Sequence, residues 1–430
     1  MRITNQMMVN STMANIQVNK KQVNTLETQL STQKKINKPS EDPVIAIRAL
    51  RLRSSLEQVT QYLNKNIPDA DSWLKTTEGA VDEAVSVITD LYAYCEQGAT
   101  DSYSPSERST LAESLNKLRD AYYAEGDVEY AGRYLFSGYM TDTPLTYQSD
   151  ETAAKADFTI TQEFTRENIE LKTVYTNAYS NDDILNLNVK TDAATGEILL
   201  GENVYKQLYA SDGFSFTYRK DNFAKGDLNP VMYYDCVDNN PDNAGVVYTK
   251  KTEDIEYNIN FSQKLKVNTE ANEVFNMYLG RDIDDLITSV NNVIDIEAQL
   301  EKVEGMLKQD IYSDKDSQSK LNSIKEGLTK QNELAKEEMK NRFEYCVGTM
   351  QGYQEQASLA KADAGNRMTR LNLTKSRLTE QKTNFTNLKS ENEDIDLEEV
   401  VVGYSAAQLV YNASLTAASK VIQQTLLDFL

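Results

Sequence analysis

Residues 30–50 read LSTQKKINKPSEDPVIAIRAL. An apolar seam runs up to Leu30, a polar and basic stretch follows, and a second amphipathic run starts at Val44. Asp42 is a good helix N-cap, and Pro43 suits the first helical position, where its missing N–H costs nothing. The stretch therefore predicts two helices joined by a rigid, capped elbow, with Asn37, Pro39, Asp42 and Pro43 shaping the turn.

Upstream of the elbow, Val9, Ile16, Val23 and Leu30 recur every seven residues, with Met13 and Leu26 flanking them. A seven-residue apolar repeat keeps one stripe facing a partner helix, so this arm reads as half of a coiled coil. Downstream, Ile45, Ala49, Leu52, Leu56, Val59 and Leu63 predict a second helix, and Val81, Ala84, Ile88 and Leu91 a third from about Trp73 to Cys95. Ser104-Pro105-Ser106-Glu107 is a capping box opening a fourth, whose apolar face includes Leu111, Leu115, Leu118 and Tyr122.

Residues 141–280 differ. Short runs such as DFTIT, VMYYD and GVVYTK, rich in tyrosine and punctuated by turn pairs, predict strands. From Asp282 onward there is no proline. One amphipathic helix is expected from Asp282 to Asp310. A longer one follows, with Phe343, Met350, Ala357, Ala364, Leu371, Leu378 and Phe385 at heptad spacing and polar Arg367, Thr374 and Gln381 at the companion positions.

The last thirty-one residues carry only Lys420 and Asp428 as charges. Tyr404, Ala407, Tyr411, Leu415, Ala418, Ile422 and Phe429 form a helical stripe, while Val410, Ala417 and Val421 make a second face apolar. A helix apolar on more than one face needs to be surrounded. The first forty residues are also acid-poor, with Glu27 alone before Glu41. The expected fold is mainly α: a long antiparallel helical coiled-coil rod formed by the N- and C-terminal helices, with an inserted, mostly β middle domain. The expected divisions are an N-terminal arm (1–40), the N-terminal part of the rod (41–140), the β-rich insertion (141–280), the C-terminal part of the rod (281–395) and a C-terminal arm (396–430).

The 430 residues include 66 Asp and Glu against 45 Lys and Arg, a formal charge of −21. No basic surplus exists to release counterions from phosphates, which argues against a nucleic-acid partner. With no histidine, imidazole bases, Ser–His or Cys–His pairs and His-ligated metals are excluded. Cys95, Cys236 and Cys346 stand far apart and read as small apolar or surface residues. No stretch is apolar for the ~20 residues a membrane-spanning helix needs, and the N-terminus lacks the apolar core of a cleaved signal.

Chemistry-bearing motifs are equally scarce. Asp238-x-Asn240-x-Asp242 begins like a calcium loop, but Asn243 replaces the turn glycine and Thr249 the bidentate glutamate, leaving a solvated turn. SENEDIDLEE (390–399) reads as a helix–helix junction whose acids complement the start of the next helix. No glycine-rich phosphate cradle occurs. Trp73 and the tyrosines read as packing residues. No enzyme, cofactor or metal site is expected. Instead, the two ends carry more apolar surface than one hairpin hides, so the remainder is expected to be buried against identical neighbours through heterologous contacts that propagate as rings or tubes.

The stretch LSTQKKINKPSEDPVIAIRAL, with NRMTRL (366–371) and the run from LKSENEDIDLEE (388–399) to LLDFL (426–430), resembles the bacterial flagellin family. The resemblance covers about residues 1–147 and 255–430. It implies a structural part of the flagellum, a junction adaptor joining hook to filament by ring-like self-assembly through the terminal helices. The implied interfaces are Val9, Met13, Ile16, Val23, Leu26 and Leu30 on the N-terminal arm and Tyr404 to Phe429 on the C-terminal one. It further implies export by the flagellar type III apparatus, a cytoplasmic chaperone shielding the C-terminal helix, and hook-associated protein 1 and flagellin as neighbours. The alternatives are a filament subunit, or a secreted helical adhesin acting through residues 141–280.

Overall fold

A computed structural model describes residues 5–100, 103–164, 189–191, 198–200, 214–220, 223–232, 236–249 and 252–427. In chain order the helices are α1 (Asn5–Thr32), α2 (Pro43–Gln61), α3 (Ile67–Gly98), α4 (Pro105–Ala124), α5 (Asp150–Lys155), α6 (Ala271–Val274), α7 (Met277–Leu307), α8 (Lys315–Glu393) and α9 (Leu397–Leu427). The strands are β1 (Glu129–Tyr130), β2 (Arg133–Tyr134), β3 (Phe158–Phe164), β4 (Val189–Thr191), β5 (Ile198–Leu200), β6 (Phe214–Lys220), β7 (Cys236–Asp238), β8 (Val246–Tyr248), β9 (Glu256–Asn260) and β10 (Gln263–Lys266). Long helices dominate and the sheets are small, as a mainly α chain with a β-containing middle requires. Two compact units emerge, one from residues 1–69, 258–264 and 371–430, the other from 70–257 and 265–370.

In the first unit, α1 stops at Thr32 because Gln33 turns left-handed, with φ of 56°. Lys34 then bridges antiparallel to Asp394, and α1 lies along α9. The antiparallel pairing of the terminal helices is thus observed. Asp42 caps α2 as its sequence suggests, accepting from the N–H groups of Val44 and Ile45 at 2.9 and 3.0 Å, with Pro43 in the first turn. The second and third helices are not separated by a loop, as the apolar spacing had suggested. A π turn over Tyr62–Asn66 joins them. Pro68 explains it: proline offers no N–H and its ring crowds the carbonyl four residues back. The widened turn, in which Ile67 donates to the Tyr62 carbonyl, makes room. Tyr62 meets Phe261 edge-on at 5.8 Å, and Asn66 donates to the Asn258 carbonyl at 2.7 Å.

The second unit holds the largest side chains of the core. Trp73, Leu74, Ile88 and Leu91 of α3, Leu115 and Tyr122 of α4, and Phe343 of α8 are buried. Leu279, Ile283, Leu286, Val290 and Val293 extend this interior along α7. Ser104 and Glu107 form the expected capping box of α4. α4 and α7 run antiparallel, fixed at one end by Arg108–Glu297 and at the other by Arg119–Asp284. Of the expected heptad residues of α8, Phe343, Met350, Ala357 and Ala364 are buried in this unit, while Leu371, Thr374 and Leu378, which belong to the first unit, are buried there and Phe385 is half-buried.

The middle of this unit is antiparallel sheet, in the order β6–β3–β7–β8. DFTIT and GVVYTK supply β3 and β8, but VMYYD supplies no described strand. Its Val231 and Met232 fall in a 3-10 turn, because Pro230 fixes its own φ and Asn229 accepts from both the Val231 and Met232 N–H groups. Tyr233 to Asp235 lie outside the described residues. The 238–242 segment is a pair of Asx turns, in which Asp238 accepts from the Asn240 N–H at 2.8 Å and Asn240 from that of Asp242 at 3.1 Å. Cys95, Cys236 and Cys346 are all buried, and none of them is in a disulfide.

Candidate assembly interface at the paired terminal helices

The contact between α1 and α9 has a heptad pattern on both sides. Val9, Thr12, Ile16, Asn19, Val23, Leu26 and Leu30 are the half-buried stripe of α1, at alternating steps of three and four residues. Opposite them Val400, Tyr404, Tyr411 and Ser414 are half-buried, and Ala407 and Ala418 are buried. Small residues line the contact, and a Cβ added at Gly403 would meet Leu26 Cδ2 at 3.9 Å. Asn19 donates to Ser414 Oγ at 3.2 Å, a polar pair inside an apolar seam that fixes register.

Two residues expected on these stripes point elsewhere. Met13 and Leu415 are exposed, and the seam places Thr12 and Ser414 where the apolar reading put them. The side chain of Ile422 and the whole of Phe429 lie outside the described residues. Met7, Met8, Met13 and Val18 on α1, and Val401, Val402, Leu409, Val410 and Leu415 on α9, remain exposed once the two helices have paired.

The elbow is a structured turn. Glu41 reaches back to accept from the N–H groups of Asn37 and Lys38 at 2.8 and 3.3 Å, and its own N–H donates to the Lys38 carbonyl at 3.0 Å. Those two donors hold the Glu41 carboxyl below the ordinary glutamate value. Pro39 sits exposed inside this closed loop, and Asp42 starts the next helix immediately after it.

The turn also docks on the α8–α9 junction, through residues that apolar periodicity does not reveal. Lys35 donates its N–H to the Glu393 carbonyl at 2.7 Å, and Ile395 donates to that of Gln33 at 3.3 Å. Lys34 pairs with Asp394 and approaches Glu393 at 3.8 Å. Arg53 of α2 grips the same Glu393 through two hydrogen bonds. Asp396 behaves as expected of the junction acids, accepting from Glu398 and Glu399 at the start of α9. Glu393 and Asp394 do not. They stand at the C-terminal end of α8, where the helix dipole disfavours a carboxylate, and the cations of the elbow and α2 offset that cost.

Residues 3–141 match the family model of the bacterial flagellin N-terminal helical region. The flagellin-like resemblance read from the residues therefore holds over that span, which includes α1, the elbow and α2 to α4. Flagellar hook-associated protein 3 of Salmonella typhimurium is 28% identical over 144 residues, which is 33% of this chain and 45% of that protein. Its Escherichia coli counterpart is 28% identical over 145 residues, again 45% of its length. A flagellin of Clostridium tyrobutyricum is 25% identical over 120 residues, 28% of this chain and 32% of that one. The chain thus spans under half the length of the curated relatives it matches.

Among solved structures, a flagellar hook-associated protein of Vibrio parahaemolyticus has a TM-score of 0.38 at 15% identity, covering 82% of this chain and all of its own. Flagellar hook-associated protein 3 of Legionella pneumophila has a TM-score of 0.34 at 12% identity, covering 79% and 97%. Among the described residues no helix is long and apolar enough to cross a membrane.

Proposed function

We propose that this chain is a structural component of the bacterial flagellum, a junction adaptor that joins hook to filament. The observation that carries this reading is the α1–α9 pair, which satisfies one seam and leaves apolar residues exposed on both helices. Copies docking side by side would bury that surface, and contacts between unlike faces close into a ring when the rotation is right. The match to the flagellin N-terminal region and the two curated relatives named as hook-associated protein 3 support placing the ring in the flagellum. A structural role asks for no catalytic group, and none is assigned.

The same reading gives the expected partners: other copies of this chain, hook-associated protein 1 on one side and flagellin on the other. A cytoplasmic chaperone would cover α9 until the flagellar export apparatus takes the chain out of the cell. Immunogold labelling of isolated flagella tests the proposal. A narrow band between hook and filament is expected, whereas label along the whole shaft would make the chain a filament subunit. Cells lacking the gene should keep their hooks and release flagellin into the medium. Proline substitutions within residues 9–30 should abolish assembly while leaving the middle of the chain folded.

A further inference from the structure

The first unit carries a second unpartnered stripe on α2, outside the paired arms, and a matching one at the start of α9. On α2, Val44, Ile47 and Leu50 are each more than half exposed. They recur every three residues and therefore run obliquely along the outer side of the helix. Arg48 and Arg51, also exposed, each stand one turn beyond Val44 and Ile47 and make no ion pair among the described residues. At the start of α9, Leu397, Val401 and Val402 are exposed, with Val402 at 70%. Glu398 and Glu399 stand one turn before Val402, exposed, with no side-chain ion pair among the described residues.

The two patches are matched in kind. Each is a short apolar stripe on a helix, one edged by two cations and the other by two anions. Isolated apolar residues on a surface are ordinary, but a contiguous stripe edged by unpaired charge marks a contact face, and opposite edges give it register. Both patches belong to the same end of the unit: Asn392, just before the α9 patch, donates to the Ile45 carbonyl, inside the α2 patch, at 3.2 Å. Being exposed in the same chain, they do not cover each other. A copy standing beside the molecule can offer its α9 patch to this one's α2 patch at the same level.

We infer that the Val44–Ile47–Leu50 stripe of α2 docks on the Leu397–Val401–Val402 stripe of a second copy of this chain, with Arg48 and Arg51 facing Glu398 and Glu399. The contact is heterologous and lateral, and it adds to whatever the arms bury. It rests on the proposed function in requiring that copies assemble side by side.

Two experiments in cells bearing the chain as their sole copy test it. Arg48→Glu with Arg51→Glu, or Glu398→Arg with Glu399→Arg, should each release flagellin to the level of the deletion strain, and the four changes together should restore attachment. Circular dichroism of the purified variants checks that helix content is kept. If the charge reversals fold and leave attachment at the wild-type level, the docking is overturned. Independently, Ile47→Cys and Val402→Cys in one chain should give a ladder of disulfide-linked copies from oxidised flagella, and two singly substituted chains mixed together only dimers. Absence of both, with immunogold still marking the junction, overturns the contact and leaves the junction role standing. Absence of the band itself would overturn that role.

Discussion

Arg53 and Glu393 form a two-point ion pair, Nε to Oε1 at 2.8 Å and Nη2 to Oε2 at 2.7 Å, between helices 340 residues apart in sequence. The Glu393 side chain is only 3% exposed, while Arg53 is half-exposed. Removing the arginine would leave the carboxylate with only the weaker influence of Lys389 and of Lys34, which stands at 3.8 Å. Breaking a fully buried pair costs about 3–5 kcal/mol, but solvent on the Arg53 side reduces this, so Arg53→Ala should cost about 1–2 kcal/mol. Arg53→Lys keeps the charge and loses the fork, and should fall between Arg53→Ala and the parent in thermal unfolding followed by circular dichroism.

The same contacts set an acid limit. The Glu393 carboxyl is held below its ordinary value of 4.5, first by the Arg53 hydrogen bond, and Asp394 below 3.8, first by that of Lys34. A carboxylate with a depressed folded value contributes stability that is present above its unfolded value and lost as pH falls through the folded one. The unfolding midpoint should therefore show no loss from these groups between about pH 7 and 5, and should drop progressively below roughly pH 4.5. Glu393→Gln should start lower and flatten part of that drop. A drop of unchanged size in the Gln variant would contradict the assignment.

How much of this was readable from the residues depends on the kind of signal. Apolar heptads and capping residues are local, so the α1 stripe, the Asp42–Pro43 start of α2, the Ser104–Glu107 box and the long seam of α8 could be placed from spacing alone. Thr12, Asn19 and Ser414 escaped because they are polar residues at seam positions, where only the partner helix explains them. The pairing of Lys34, Arg53 and Glu393 was hidden because a charge in sequence carries no address. In VMYYD, the turn read at Asn229–Pro230 extends through Val231 and Met232, where strand propensity alone had favoured a strand. Packing and ion pairing across hundreds of residues decide such cases.

Two glycines on long helices should respond oppositely to an added methyl. A Cβ at Gly280 would fall on the buried Tyr123 hydroxyl, whereas at Gly348 nothing lies within 4 Å. Gly280→Ala should therefore cost about 1–3 kcal/mol through overpacking. Gly348→Ala sits inside α8 and should gain about 0.5–1 kcal/mol from helix propensity. Denaturant midpoints of the two variants against the parent check both signs at once.

The buried thiols should be silent in the folded chain. Burial pushes Cys95 up to about 12, and Cys346 well above its usual range, again mainly through burial. Only the thiolate is nucleophilic. Alkylation with iodoacetamide near neutral pH should leave both unmodified for as long as the second unit stays folded, and label them at once in denaturant. Labelling of native protein at the rate of a free cysteine peptide would show that the α3–α8 packing around them opens readily.

The strongest electrostatic commitment lies between α4 and α7. Arg108, with a side chain only 4% exposed, donates through Nη1 to both oxygens of Glu297 at 2.8 Å, and Lys336 of α8 reaches the same carboxylate at 2.8 Å. Three helices thus share one carboxylate. Glu297→Ala removes the acceptor and leaves a guanidinium in a dry interior with no counter-charge at hand, which costs about 3–5 kcal/mol. Replacing both members by apolar residues of similar volume, Arg108→Met with Glu297→Leu, removes the stranded charge together with its partner and leaves Lys336, with a side chain 28% exposed, to turn to solvent. That double variant should unfold close to the parent or above it, since an apolar isostere avoids the desolvation both ions incur. Chemical denaturation of the single and double variants gives the comparison directly. If Glu297→Ala proved as stable as the double variant, Arg108 would have to be reaching water in the folded protein.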